Sequence, residues 1–293
     1  MAVITAAGNG NWSVGGTWNG GVAPSTGDTA DANGFSITLD QDVTCDLLRN
    51  NASTGGAFVV PAATTRVINA SLQSNKASVM MYVGVGQTLT VNVPEGGNIS
   101  QENASTGRPI YMTGGTLNIN GDLTPSTYNW PIELHNSGAV CNFTGDILSG
   151  SGTRAFYNYQ GTLNVITDEC IVNGDYILNC LTLGTSALNI TGKVRTTGSA
   201  GRIYTYRGTT SWKDQVVSIG EDEELHLYCS DTGTLDISGL KILNRGNLVI
   251  NTPGTLTIDS GTRIYNMTPK AQCSIIGVAS DPGLRVVAAY QAA

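Results

Sequence analysis

Charged side chains are scarce in this 293-residue chain: Asp, Glu, Lys and Arg together make up 13%, about half the usual share of roughly 25%. The balance is acidic, at a formal −7 with only 15 Lys and Arg. A nucleic-acid footprint needs a basic stripe to displace counterions, and no such stripe is present. Apolar runs are short, none approaching the ~18 residues of a membrane span. Histidine occurs only at His135 and His226, too far apart for a paired zinc motif on one helix. The six cysteines (Cys45, Cys141, Cys170, Cys180, Cys229 and Cys273) form no C-x-x-C pair, so zinc-ribbon and redox spacings are excluded and buried free thiols are expected. No nucleophile elbow, phosphate loop or dinucleotide fingerprint occurs. The N-terminus has neither a basic leader nor a long apolar stretch, so a secretory signal is not expected. Metal, cofactor and catalytic residues are therefore all expected to be none.

What is abundant is Gly, Thr and Asn, which fill a third of the chain. These are poor helix formers, while 40% apolar content argues against disorder. The informative signal is self-similarity. Thr116-Leu117-Asn118-Ile119-Asn120-Gly121-Asp122 is echoed by Val140-Cys141-Asn142-Phe143-Thr144-Gly145-Asp146, by Thr162-Leu163-Asn164-Val165 and by Ala187-Leu188-Asn189-Ile190, with weaker copies before and after. Anchors at Val67, Leu89, Leu117, Cys141, Leu163, Leu188, Val217, Leu235 and Leu256 recur about every 24 residues. Around each anchor the pattern is apolar–polar–apolar, the alternation of a half-buried strand.

A repeat of this length with short strands and no helix fits one coil of a parallel β-helix. Leucine-rich repeats carry a helical half, and a propeller blade needs roughly 40 residues. The expected fold is all-β, a single-stranded parallel β-helix of about 8–10 coils. Residues 1–34 would form an N-terminal cap or attachment segment, 35–270 the solenoid, and 271–293 a C-terminal cap or partner-docking tail. Leu117, Cys141, Leu163 and Leu188 should stack as one core ladder, and Ile119, Phe143, Val165 and Ile190 as its neighbour. Asn118, Asn142, Asn164 and Asn189 should form an outward ladder of mutually bonded amides. Trp12 and Trp18 are placed to cover the open apolar end.

Two outward rows carry the candidate binding or interface groups. If Ile110, Ile132, Phe156 and Ile203 point inward, then Tyr111, Glu133, Tyr157 and Tyr204 point outward. Two residues on, His135, Tyr159 and Tyr206 run parallel, with Arg202 and Arg207 beside them. Such a row suits sugar stacking or a subunit interface. Carboxylate chemistry would need two acids facing across a groove. Asp122, Asp146 and Asp168 are expected instead to cap turn amides, and Glu221–Glu224 to be a solvated loop.

The stretch Asn11-Trp12-Ser13-Val14-Gly15-Gly16-Thr17-Trp18-Asn19-Gly20-Gly21-Val22-Ala23-Pro24-Ser25-Thr26-Gly27-Asp28 resembles the opening of β-helical surface proteins and of virion proteins of tailed phages, both head-decoration or fibre parts and tailspike-like proteins. The resemblance spans some 20 residues plus the repeat style. It implies a right-handed parallel β-helix; with a polar, little-charged composition, no expected export signal and few catalytic groups, the expected role is non-enzymatic and structural, on the virion exterior. The implied partners are the major capsid protein or other virion proteins, copies of the chain itself, as trimers, and host surface glycan, with no nucleic acid and no membrane. A glycan-cleaving tailspike and a bacterial adhesin are the alternatives.

Overall fold

The computed structural model describes residues 2–52, 55–74, 79–101, 108–124, 131–148, 155–172, 178–180, 186–196, 201–205, 208–211, 216–221, 224–229, 233–279 and 285–288. Its strands are joined into one 28-stranded sheet. Every pairing between strands is parallel, each strand bonding to strands one coil away, so the chain winds as a solenoid. The described residues contain no α-helix, only a short 3-10 turn at Gly15–Thr17.

The winding passes through three faces. The first is built from Val3–Thr5, Thr29–Asp31 and residues 47–50 and 71–74, and later from Val216–Ile219, Lys241–Asn244 and Arg263–Asn266. The second runs through Ala57–Val59, Val79–Val83, Arg108–Met112, Ile132–Leu134 and Phe156–Asn158. The third stacks Thr88–Asn92, Thr116–Asn120 and Val140–Thr144 on residues 162–167. The stack begins before residue 35, with Val3–Thr5 on Thr29–Asp31. It also runs past residue 270, where Gln272–Ala279 pairs with residues 247–256.

On the third face each strand alternates inward and outward. Leu89, Leu117, Cys141, Leu163 and Leu188 lie in register and fully buried, and Val91, Ile119, Phe143, Val165 and Ile190 form the adjacent column. Burying each such side chain contributes about 1.5–3 kcal/mol. Between the columns the outward asparagines bond one another. Nδ2 of Asn142 donates to Oδ1 of Asn118 at 2.9 Å, Asn164 to Asn142 at 2.8 Å and Asn189 to Asn164 at 2.8 Å. A second amide ladder runs beside it: Asn92 donates to Asn69 at 2.7 Å and Asn120 to Asn92 at 2.8 Å.

Two anchors fall elsewhere than the spacing suggested. Opposite Leu89 stands Arg66, not Val67, because Ile68 takes the inward position opposite Val91. The neighbour of Leu188 is Thr210 and not Val217. The long strand Ala187–Thr196 turns the corner onto the first face, and Val217 pairs there with Val194. Thr210 holds the core position at 1% exposure, passing the column on to Leu235 and Leu256.

The corner after the third face requires glycine. Gly121 and Gly145 have φ of +115° and +150°, and a Cβ on Gly145 would sit within 2.3 Å of the Gly121 carbonyl oxygen. At the N-terminal end Trp12 and Trp18 are buried edge-to-face with centroids 5.1 Å apart, and the Trp18 indole N–H donates to the Trp12 carbonyl at 2.9 Å. The same segment covers the free edge of the first strand. Asn19 N–H donates to the Thr5 carbonyl and Ala7 N–H to that of Thr17, in an antiparallel sense. These bonds occupy the Thr5 end of that edge and hinder pairing there with a further strand.

Candidate functional site

The second face places one row in backbone register from Val59 through Tyr82, Tyr111, Glu133, Tyr157, Asn179, Tyr204 and Tyr228. Inward of it lie Phe58, Met81, Ile110, Ile132 and Phe156, all fully buried. These strands are short apolar runs that cross to the outward side at every second residue, which brings aromatic and charged groups from successive coils into contact.

His135 is the hub of the cluster. Its ring stacks on Tyr111 at 4.4 Å and 22°, and lies 5.6 Å from Tyr157 and 5.5 Å from Tyr159. Tyr157 and Tyr159 are nearly parallel, 6.1 Å apart. Tyr82 meets Tyr111 edge-on at 5.9 Å and 68°. These rings come from consecutive coils, so the stack runs along the rod and its inner faces are covered by one another rather than turned to solvent.

Glu133 is the buried charge beneath the rings, 4% exposed. Parity places it outward, yet its neighbours cover it. One carboxylate oxygen forms an ion pair with Arg108 Nε at 3.1 Å and the other pairs with His135 Nε2 at 2.7 Å. That pairing favours the tautomer with the proton on Nε2. A carboxylate with so little water would be costly alone, and two partners offset the desolvation. The Arg108 guanidinium also lies 5.3 Å from the Tyr111 ring centroid, a cation–π distance. Burial pushes the Tyr157 phenol above its ordinary pKa, and the Glu133 carboxylate adds to the rise.

The structure thus brings together Tyr111, Glu133, His135, Tyr157 and Tyr159. It does not join Tyr204 to them directly, because Asn179 occupies the coil between Tyr157 and Tyr204. Arg202 lies beside His226 by backbone register, and the side chains of Arg202 and Tyr204 lie outside the described residues. Tyr206 and Arg207 lie wholly outside them. Tyr82 and Arg108 belong to the cluster although the sequence reading did not single them out. The signal was present in Met80-Met81-Tyr82-Val83, whose alternation matches Pro109-Ile110-Tyr111-Met112.

Several other acids bond to neighbouring coils, whereas Asp168 is exposed at the bulge between Thr167 and Cys170. Asp122 accepts the Asp146 amide at 2.8 Å, and Asp146 accepts the Thr167 hydroxyl at 3.1 Å. Glu224 accepts Nδ2 of Asn247 at 2.6 Å. Among the described residues no group of three or more His, Cys, Asp or Glu is placed to hold a metal ion, and no helix is long and apolar enough to cross a membrane. Scans against protein-family models, curated proteins and solved structures return no match for this chain.

Proposed function

We propose that the chain is a non-enzymatic structural protein of a virus particle, a decoration or fibre-like rod on the exterior of a tailed-phage virion. The observation that carries this reading is how outward polar groups are used. Both oxygens of Glu133 are held by Arg108 and His135, and the outward asparagines bond from coil to coil. A general acid or nucleophile needs a carboxylate that can change partner during a reaction. Groups locked in this way stiffen a rod. The partners in this reading are the major capsid protein, further copies of the chain, as trimers, and host surface glycan.

The test is to purify particles and quantify the chain by mass spectrometry, then to incubate the pure protein with host polysaccharide. Stoichiometric, many-copy presence without release of oligosaccharide is the expected result. Absence from particles overturns the reading. So does oligosaccharide release that disappears in a Glu133→Gln variant, which would favour the tailspike-like alternative.

A further inference from the structure

The geometry points to a binding subsite for a carboxylate-bearing sugar, a uronate-type unit of an acidic glycan, formed by Tyr82 and Arg108 on the second face. This deepens the exterior, glycan-contacting part of the proposed function and rests on it.

Tyr82 is the one ring of the cluster that the stack leaves open. It is 48% exposed and stands at 68° to Tyr111. In an edge-to-face pair either Tyr82 turns its edge to Tyr111, leaving both of its faces without a ring contact, or it gives up one face and keeps the other. By contrast Tyr111 gives one face to His135 at 4.4 Å. A tyrosine face is negative and attracts the C–H groups on the less polar side of a sugar ring.

Arg108 supplies the charge. Its Nε is fixed by Glu133 at 3.1 Å and its guanidinium by Tyr111 at 5.3 Å, while 41% of the side chain is exposed. No hydrogen bond involves its two terminal nitrogens among the described residues. An anchored guanidinium whose outer nitrogens bond none of the described residues is pre-organised for a carboxylate, and little side-chain freedom remains to be lost on binding. Glu133 does not block such a ligand, since it lies beneath the rings with both oxygens occupied. An acidic peptide fits less well. A peptide gains affinity on a sheet by pairing with a free strand edge, and Val79–Val83 and Arg108–Met112 are paired on both sides.

The experiment titrates the full chain, by calorimetry and saturation-transfer NMR, with an oligogalacturonate and with the same oligomer after reduction of its carboxyls to hydroxymethyl groups. Binding of the first and about tenfold weaker binding of the second is expected. Tyr82→Ala should weaken binding about tenfold, and Tyr82→Phe should stay within about twofold because the face is kept. Arg108→Lys keeps the charge but loses the planar fork, and should weaken binding about fivefold. No binding by the wild-type chain, equal binding of the reduced oligomer, an unchanged Tyr82→Ala, or tighter binding of poly-glutamate than of the sugar would each overturn the proposal. The titration uses no particles. Failure here therefore leaves the structural reading standing, and absence from particles leaves this site standing.

Discussion

Replacing Asn142 by alanine should cost about twice as much stability as replacing Asn189. Asn142 is an interior rung: its amide donates to Asn118 at 2.9 Å and accepts from Asn164 at 2.8 Å. Asn189 ends the ladder, exposed, with one bond to Asn164 at 2.8 Å. At about 1 kcal/mol net per hydrogen bond, Asn142→Ala loses about 2 kcal/mol and Asn189→Ala about 1 or less. Converted at 2–4 °C per kcal/mol, the first lowers Tm by about 4–8 °C. Because all these rungs donate in the same direction, Asn142→Asp should be worse than alanine. Its carboxylate would face the Asn118 carbonyl oxygen with no proton to give. The double variant Asn142→Ala/Asn164→Ala removes the three bonds along Asn118–Asn142–Asn164–Asn189. The two single variants each remove two, sharing one bond, so a coupling of about 1 kcal/mol is expected. Urea unfolding followed by circular dichroism measures each value. Equal costs for Asn142→Ala and Asn189→Ala, or a coupling near zero, would refute the idea that the ladder stabilises the stack.

Gly145→Ala should destabilise the rod by about 2 kcal/mol or more, through the positive φ and the clash with the Gly121 carbonyl; an unchanged urea midpoint would contradict the corner geometry. Cys45 and Cys141 are buried, and desolvation pushes the Cys45 thiol up to about 12 and that of Cys141 higher still. Neither should react with iodoacetamide in the native protein at neutral pH, and both should do so in denaturant, as read by mass spectrometry. The Asp259 carboxyl is held below its ordinary value of 3.8 by the Gly239 amide first, and by Gly261 and Thr262. A lowered folded pKa gives stability that is present above the unfolded value and is lost as the pH falls through the folded one. Thermal scans should therefore show Tm dropping below about pH 4, with a smaller drop for Asp259→Asn. Superimposable profiles would remove Asp259 from that account.

What the sequence discloses and what it withholds divide along one physical line. Alternation within a strand is local, so Leu117, Asn118 and Ile119 announce their sides without reference to any other coil. The amide ladder follows from the same parity, because identical residues recur in register. The pairing of one coil with the next is not local. Bulges between Thr44 and Leu47, and between Thr167 and Cys170, shift the register as strands turn corners. Coil lengths also vary, so an apolar residue near the mean spacing, such as Val217, belongs to a different face while polar Thr210 sits in the core column. Tyr204 likewise lies two coils from Tyr157, with Asn179 on the coil between. Glu133 shows the consequence for function most directly. Its parity is outward, as the alternation requires, but its exposure is decided by Arg108 and Tyr157, residues 25 and 24 positions away in the chain and one coil distant in space. On a solenoid surface a residue's direction is written in its own strand, whereas its accessibility and many of its partners, as Arg108 and Tyr157 are for Glu133, are written in the strands above and below. Candidate sites on such a face are therefore found by aligning coils and reading across them, and Tyr82 and Arg108 emerge only in that direction.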